Sequence, residues 1–430
     1  AVSFLFSGLG GHYAAGCVLC CALVGAAAAQ ADTNPSPSAA TSATTPTLAQ
    51  AVDAAWLRAT QAREAAGQVT RAQADKAAAS SLWPAPPSLE LTHRDDRWQT
   101  SAGRRETEAG LSWPLWLPGQ RQARNAAADA DLERAHAATS AGRLHYTGLV
   151  REAAWAVTAQ RLEADLAETQ SRYLQQLADD VDRRVKAGDL AHADALAARS
   201  EVLASQSALL GIRQRQAASE AQWTTLTGLV QVPRLFWQED RSDTAGNQAT
   251  AASIEAHPDN RMAALSAQRA RKRLDVVGVS RREPTELLLR IRQDTPGRRE
   301  QAQNSIGIGV RIPLGTAGRN LPLHAAALSE LDVAQAAELR TTERLAAEVA
   351  VAQAAIRSAE QQLDAERQRA ELLRERADLI SQSFKAGETP LPELLRALSA
   401  AAQADTSLAR QQVALGLAHA RLHQAFGTLP

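Results

Sequence analysis

Two carboxylates hold matching places in this sequence. Asp194 stands six residues after Gly188, and Glu393 six after Gly387. Each glycine closes a similar run, Lys186-Ala187-Gly188-Asp189 in one case and Lys385-Ala386-Gly387-Glu388 in the other. Glycine there supplies the backbone angles that let a helix stop and the chain reverse. Pro390 and Pro392 suit the start of the next helix, where a missing N–H costs little. Acids near a helix start stabilise it by ~0.3–1 kcal/mol through its dipole. His419 and His423 are four apart on one helix, a spacing able to hold a metal ion. Surface histidines often share that spacing, and the sequence identifies no third ligand. No nucleophile elbow, P-loop, dinucleotide fingerprint or zinc-protease helix is visible. The reading is a protein that is not an enzyme and carries no cofactor.

The remaining chemistry is confined to the start of the chain. Cys17, Cys20 and Cys21 are its only cysteines, and all fall in residues 1–31, which hold no Lys, Arg, Asp or Glu. Cys17–Ala29 is an apolar run, followed by the small-x-small pattern Ala29-Gln30-Ala31. This predicts a signal peptide over 1–31 and an exported chain from Asp32, without disulfides or thiolate metal sites. Residues 32–46 form a Pro/Ser/Thr-rich leader without a packing pattern.

Composition points to long helices. Charged residues are 22% and hydrophobics 45%, but aromatics only 4%, with a single Met. That diet suits coiled coils better than a large globular core. Lys+Arg and Asp+Glu both total 47, so no net field marks a nucleic-acid binder. No apolar run reaches the roughly 18–20 residues of a membrane-spanning helix.

An internal repeat sets the architecture. Pro114 and Gly119 recur as Pro313 and Gly318, the Lys-Ala-Gly turn at 186 recurs at 385, and Gly228 recurs as Gly427, all 199 residues apart. Each copy reads as a helix, two short alternating segments, a very long helix, the turn, and a return helix. The first copy covers 47–229, with a hairpin at 87–117, a long helix at 118–186 and a return helix at 190–228. The second covers 254–430, with a hairpin at 286–314, a long helix at 319–385 and a return helix at 389–427. A linker over 230–253, anchored by Phe236 and Trp237, joins them. Leu345, Val349, Ala352, Ile356, Ala359 and Leu363 alternate spacings of four and three, the 3.5-residue period of a coiled coil. A 67-residue helix is about 100 Å long, so the helices must stand in an elongated assembly.

The alternating segments are short strands. Ile306, Ile308, Val310 and Ile312 share one face, with Ser305, Gly307, Gly309 and Arg311 on the other. Leu287–Gln293, Leu89–Thr92 and Ala109–Trp113 are read as their counterparts, with Trp83, Trp113 and Trp116 at strand ends. Apolar faces with marginal Trp and polar opposite faces suit a transmembrane β-barrel, although a hairpin on a soluble core has the same alternation. Four strands cannot close a barrel, and open edges are not tolerated in lipid. Membrane strands therefore require partner chains, and three copies would supply twelve strands.

With these features the sequence resembles the TolC family of outer-membrane efflux proteins. The duplicated plan, the Pro-Leu at each strand-to-helix junction, and the turns Val185–Leu196 and Phe384–Leu395 carry the resemblance over nearly all of the mature chain. The run Ser305–Asn320 (SIGIGVRIPLGTAGRN) and the short hairpin tips are closest to the family's CzcC-like heavy-metal branch. The resemblance implies a mainly α protein with membrane β: a homotrimer with a twelve-stranded barrel in the outer membrane and a tunnel of duplicated coiled-coil hairpins in the periplasm. It further implies partners, a periplasmic adaptor and an inner-membrane RND pump, and a cargo of heavy-metal cations moved passively. Multidrug and type I secretion ducts are the alternatives within the family, and a soluble coiled-coil adaptor is the alternative outside it. By resemblance, Asp194 and Glu393 lie near the tunnel's constricted end as a periplasmic gate, where a trimer would gather six such acids into a ring that attracts cations and raises their pKa values. Lys186–Asp189 and Lys385–Glu388 are where the adaptor docks, and Pro114, Gly119, Pro313 and Gly318 mark the barrel-to-helix junctions. Arg396 departs from the acid that some relatives carry there.

Overall fold

The computed structural model describes residues 45–98, 101–233 and 251–430, with the backbone alone for 251–253. The expected signal peptide, the leader up to residue 44, and the linker from 234 to 250 with Phe236 and Trp237 lie outside the described residues.

Twelve elements follow in order. The first copy holds α1 (Leu48–Arg58), α2 (Thr60–Ala79), β1 (Ser88–Asp95), β2 (Arg105–Leu115), α3 (Gln120–Ala187) and α4 (His192–Thr227). The second holds α5 (Ala251–Ala256), α6 (Pro258–Val279), β3 (Thr285–Thr295), β4 (Gln303–Arg311), α7 (Ala317–Lys385) and α8 (Leu391–Ala425). At 68 and 69 residues, α3 and α7 are each about 100 Å long.

The single helix expected ahead of the first hairpin is two helices. Thr47 opens α1 with a capping box, its hydroxyl accepting from Gln50 N–H at 3.2 Å while the Gln50 side chain accepts from Thr47 N–H at 2.9 Å. Ala59 then turns extended (φ −66°, ψ 135°) with no Pro or Gly to signal it. Packing imposes this break, because Ala51, Val52 and Ala55 are buried against Val150, Ala154, Val157 and Trp223. The second copy breaks at the equivalent level for a covalent reason. Pro258 disfavours helical angles at His257, which sits at φ −60°, ψ 133° and caps α6.

The helices form a single layer. Over the sheet-proximal half the order is α2–α3–α6–α7, and over the turn-proximal half it is α4–α3–α8–α7. Among the described residues α7 touches neither α2 nor α4, so the layer has two open edges. The buried stripe on α7 starts at Leu345, and its members Val349, Ala352, Ile356, Ala359 and Leu363 face Ala404, Leu408, Leu415, Ala418 and Leu422 on α8. Alanine dominates these seams and lets the helices approach closely. At one place a ring intrudes: Trp155 of α3 lies so near Gly416 of α8 that a Cβ there would overlap it.

Buried polar groups tie the two copies together. Glu163 of α3 accepts from Arg410 Nε of α8 at 2.7 Å and stands 3.7 Å from Arg215 of α4. The Arg410 pKa is raised by that hydrogen bond. Arg151 donates to Gln424 Oε1 and to the Thr428 carbonyl, both at 3.1 Å. His257 accepts the Asp259 N–H at Nδ1 (3.1 Å). Burial lowers its pKa, outweighing Asp259, the Gln424 carbonyl and Glu348, which raise it, while Arg344 adds to the lowering.

A pH dependence follows. The folded chain holds a neutral His257, whereas the unfolded chain takes up a proton near the ordinary imidazole value of 6.5. Its stabilising contribution is complete above that value and disappears as pH falls through it toward the depressed folded pKa. Thermal unfolding between about pH 7.5 and about pH 5 should show a fall in Tm that His257→Asn, a cap that does not titrate, flattens. An unchanged slope would remove this role.

Candidate functional site

All four strands join one antiparallel sheet in the order β1-β2-β3-β4. The central pairing, β2 with β3 from Arg105↔Thr295 to Leu115↔Thr285, links the two copies. Register decides which side chains share a face. Leu89, Leu111, Leu289 and Ile308 form one row, and Leu91, Ala109, Ile291 and Ile306 the next. Trp113, Leu287 and Val310 extend the same face toward the helices. The result is an apolar surface continuous over all four strands, with Ile308 at 78% exposure.

The opposite face, Pro114 and Leu288 aside, is polar and carries paired charges. Arg290 meets Glu108 at 3.4 Å, Arg292 meets Glu106 at 3.1 Å, and Arg311 meets Glu286 at 3.7 Å. Ser88 and Ser112 bond across β1 and β2 at 2.7 Å. The two outer strands β1 and β4 each leave one edge without a strand partner among the described residues.

The junctions between sheet and helices differ between the copies. Pro114 lies within β2 opposite Glu286, whereas Pro313 lies just beyond the end of β4. Gly119 has a left-handed backbone (φ 76°) ahead of α3, but Gly318 lies inside the first turn of α7. Thus α3 begins two residues after the expected 118 and α7 two before the expected 319. Pro322 is accepted inside α7 with the loss of one backbone bond. Gln120, almost fully buried, accepts from Leu117 N–H at 3.2 Å and donates to Ser280 at 3.1 Å, tying the two junctions together.

At the far end the two turns are built alike. Gly188 (φ 89°) donates to the Val185 carbonyl at 3.1 Å, and Asp189 N–H to Arg184 at 2.9 Å. Gly387 (φ 82°) donates to Phe384 at 3.1 Å, and Glu388 N–H to Ser383 at 3.0 Å. Both are Schellman closures, whose left-handed residue disfavours any Cβ. Lys186, Ala187, Asp189, Lys385, Ala386 and Glu388 are all exposed.

The two sequence-equivalent acids have unequal surroundings. Asp194 is half-buried and accepts the Ala191 N–H at 3.3 Å, serving the start of α4. Glu393 is exposed in the first turn of α8, and its carboxylate has no hydrogen-bond or ion-pair partner among the described residues. Beneath the turns the hairpins share one core. Leu174, Ala178, Val181, Ala195, Ala198 and Val202 of the first copy pack with Phe384, Leu391 and Leu394 of the second. Arg184 of α3 lies over the Phe384 ring, 5.2 Å from its centroid.

His419 is buried in α8 and His423 is half-buried. No cluster of three or more His, Cys, Asp or Glu able to hold a metal occurs among the described residues. No described helix is long and apolar enough to cross a membrane.

Comparison with known proteins agrees with this layout. The family model described as "Outer membrane efflux protein" matches residues 51–229 and 248–428. The chain belongs to that family. Among solved structures, the outer membrane protein VceC from Vibrio cholerae aligns at TM-score 0.71 with 14% identity, covering 88% of this chain and 96% of its own. CusC, a protein solved in connection with transmembrane channel formation, aligns at 0.75 with 16% identity over 88% and 92%. The CmeC outer membrane channel from Campylobacter jejuni aligns at 0.71 with 13% identity over 88% and 85%. At these identities the likeness is one of fold. No curated protein matches the sequence.

Proposed function

We propose that three copies of this chain close edge to edge into an outer-membrane export duct. The carrying observation is the sheet register, which puts a continuous apolar face on four strands and leaves both edges open. In lipid such edges must be paired, and a twelve-stranded closure pairs all of them. The helical layer has matching needs. Leu196, Leu203 and Leu210 stand exposed seven residues apart on α4, at one edge, and Leu372 and Leu379 stand exposed seven apart on α7, at the other. Seven-residue spacing suits a coiled-coil seam between copies.

The duct is passive, and the paired turns are where a periplasmic adaptor joins it to an inner-membrane RND pump. The proposed cargo is heavy-metal cations. The sequence likeness to the CzcC-like branch supports this, as does the placing of Asp194 and Glu393 beside the turns. Of the two acids, exposed Glu393 is the freer to meet a cation.

Light scattering in mild detergent should give three times the single-chain mass, and the protein should stay with membranes after an alkaline wash. A monomer recovered in soluble form would reject the duct. For the cargo, Glu393→Gln with Asp194→Asn should raise conductance or shift cation preference in planar bilayers. Unaltered conductance and selectivity would remove the acidic ring.

A further inference from the structure

The apolar face of the sheet gives way to a polar end on the side away from the helices. Beyond the row Leu91, Ala109, Ile291 and Ile306 comes His93, Thr107, Gln293 and Asn304, and then Asp95, Arg105 and Thr295. His93 Nδ1 and the Thr107 hydroxyl bond at 3.0 Å within the first of these rows. The hairpin ends lie past them. Most arginines in this zone are compensated. Arg97 and Arg105 share Asp95 at 2.6 and 3.8 Å, and Arg94 reaches Glu106 at 3.9 Å.

Arg104, Arg298 and Arg299 differ. All three are exposed, and among the described residues their side chains make no hydrogen bond or ion pair. The two hairpin ends are joined, because Arg298 N–H donates to the Ala102 carbonyl at 3.2 Å and the Arg298 side chain lies against Gly103. Arg104 follows Gly103 directly and Arg299 follows Arg298, so the three arginines are neighbours at the joined hairpin ends. Of the nearby acids, Asp96 accepts the Gly103 N–H at 3.1 Å, and the Glu300 carboxylate lies close to Gly297. Trp98, 96% exposed, stands on the same first hairpin end.

We propose that Arg104, Arg298 and Arg299 bind the phosphate groups of glycolipid headgroups in the leaflet that surrounds the far end of the sheet. The inference rests on the membrane reading of the apolar face. Guanidinium matches phosphate in a planar, bidentate fashion and is weakly hydrated, so three neighbouring exposed arginines suit a phosphorylated headgroup better than neutral sugar. An exposed indole beside them fits the headgroup level, where Trp is enriched. The site lies past both polar rows, on the side of the apolar face away from the helices, where a headgroup layer would surround it.

The full chain, purified in detergent, is incubated with bis-phosphorylated lipid A or with the same lipid stripped of phosphate, and bound lipid is counted by native mass spectrometry. The phosphorylated lipid should be retained preferentially. The combined variant Arg104→Gln, Arg298→Gln, Arg299→Gln should lose that preference, with affinity lower by about tenfold or more. Inorganic phosphate in excess should not displace the lipid, and displacement would show a free-anion site and overturn the proposal. A variant that enters bilayers like the parent and keeps the preference would overturn this site alone. A parent chain that stays out of bilayers would overturn the membrane reading and this site with it.

Discussion

Ile308→Arg is expected to prevent stable assembly in a bilayer, while Gly307→Arg on the same strand is expected to be tolerated. The two positions are adjacent in sequence and face opposite sides of β4. Ile308 stands in the row with Leu289, Leu111 and Leu89, within the apolar surface. An arginine at the midplane on a lipid-facing strand costs ~2–4 kcal/mol, and three copies would each carry one. Gly307 belongs to the opposite face, and a Cβ there would meet nothing within 4 Å. That face already holds the compensated pairs of Arg290, Arg292 and Arg311. Refolding into lipid vesicles, scored by protease resistance of the sheet, separates the two. Equal behaviour of both variants would mean that the apolar face does not meet lipid.

The contrast could be designed because the alternation in Ser305–Ile312 is legible in the sequence. The sheet order is not. Pairing β2 with β3 joins segments separated by the whole of α3, α4 and α6, and no local turn specifies it. The packing of α3 against α6 helps to bring those strands together. The repeat was legible because glycines at the turns must adopt left-handed angles, and so recur in place. It failed at Gly119 and Gly318, where identical residues take different conformations because α7 absorbs its own glycine into the helix. The break at His257 had a visible cause in Pro258, whereas the break at Ala59 had none, since burial of α1 imposes it.

Ion clusters across helices were out of reach for a related reason. Glu163, Arg215 and Arg410 lie on three helices far apart in sequence, so no spacing reveals them. The same holds for Arg269 of α6, which contacts Asp131 of α3 and lies 3.3 Å from Glu330 of α7. In a stripe of small apolar residues, Phe384 reads as one more seam position. Only the structure reveals that it crosses to the other copy.

That crossing makes Phe384→Ala the most disruptive single change at the turn-proximal end. Phe384 is 3% exposed and packs in the core that both hairpins share. Removing a buried Phe side chain costs ~3–5 kcal/mol, a large part of the stability of an ordinary domain. The loss falls on the link between copies, because Arg184 would have no ring beneath it and would retain only its 3.0 Å pair with Asp180 on its own helix. Val185, the position equivalent to Phe384 in the first copy, is only partly buried in the same core, so Val185→Ala should cost far less. Hydrogen exchange at the hairpin ends tests the link. Phe384→Ala should speed exchange in α3 and α4 as well as in α7 and α8, and Phe384→Leu should restore much of the protection. If the loss stayed within α7 and α8, the two hairpins would be moving independently, and any opening of the duct would have to be controlled by contacts between chains rather than by this shared core.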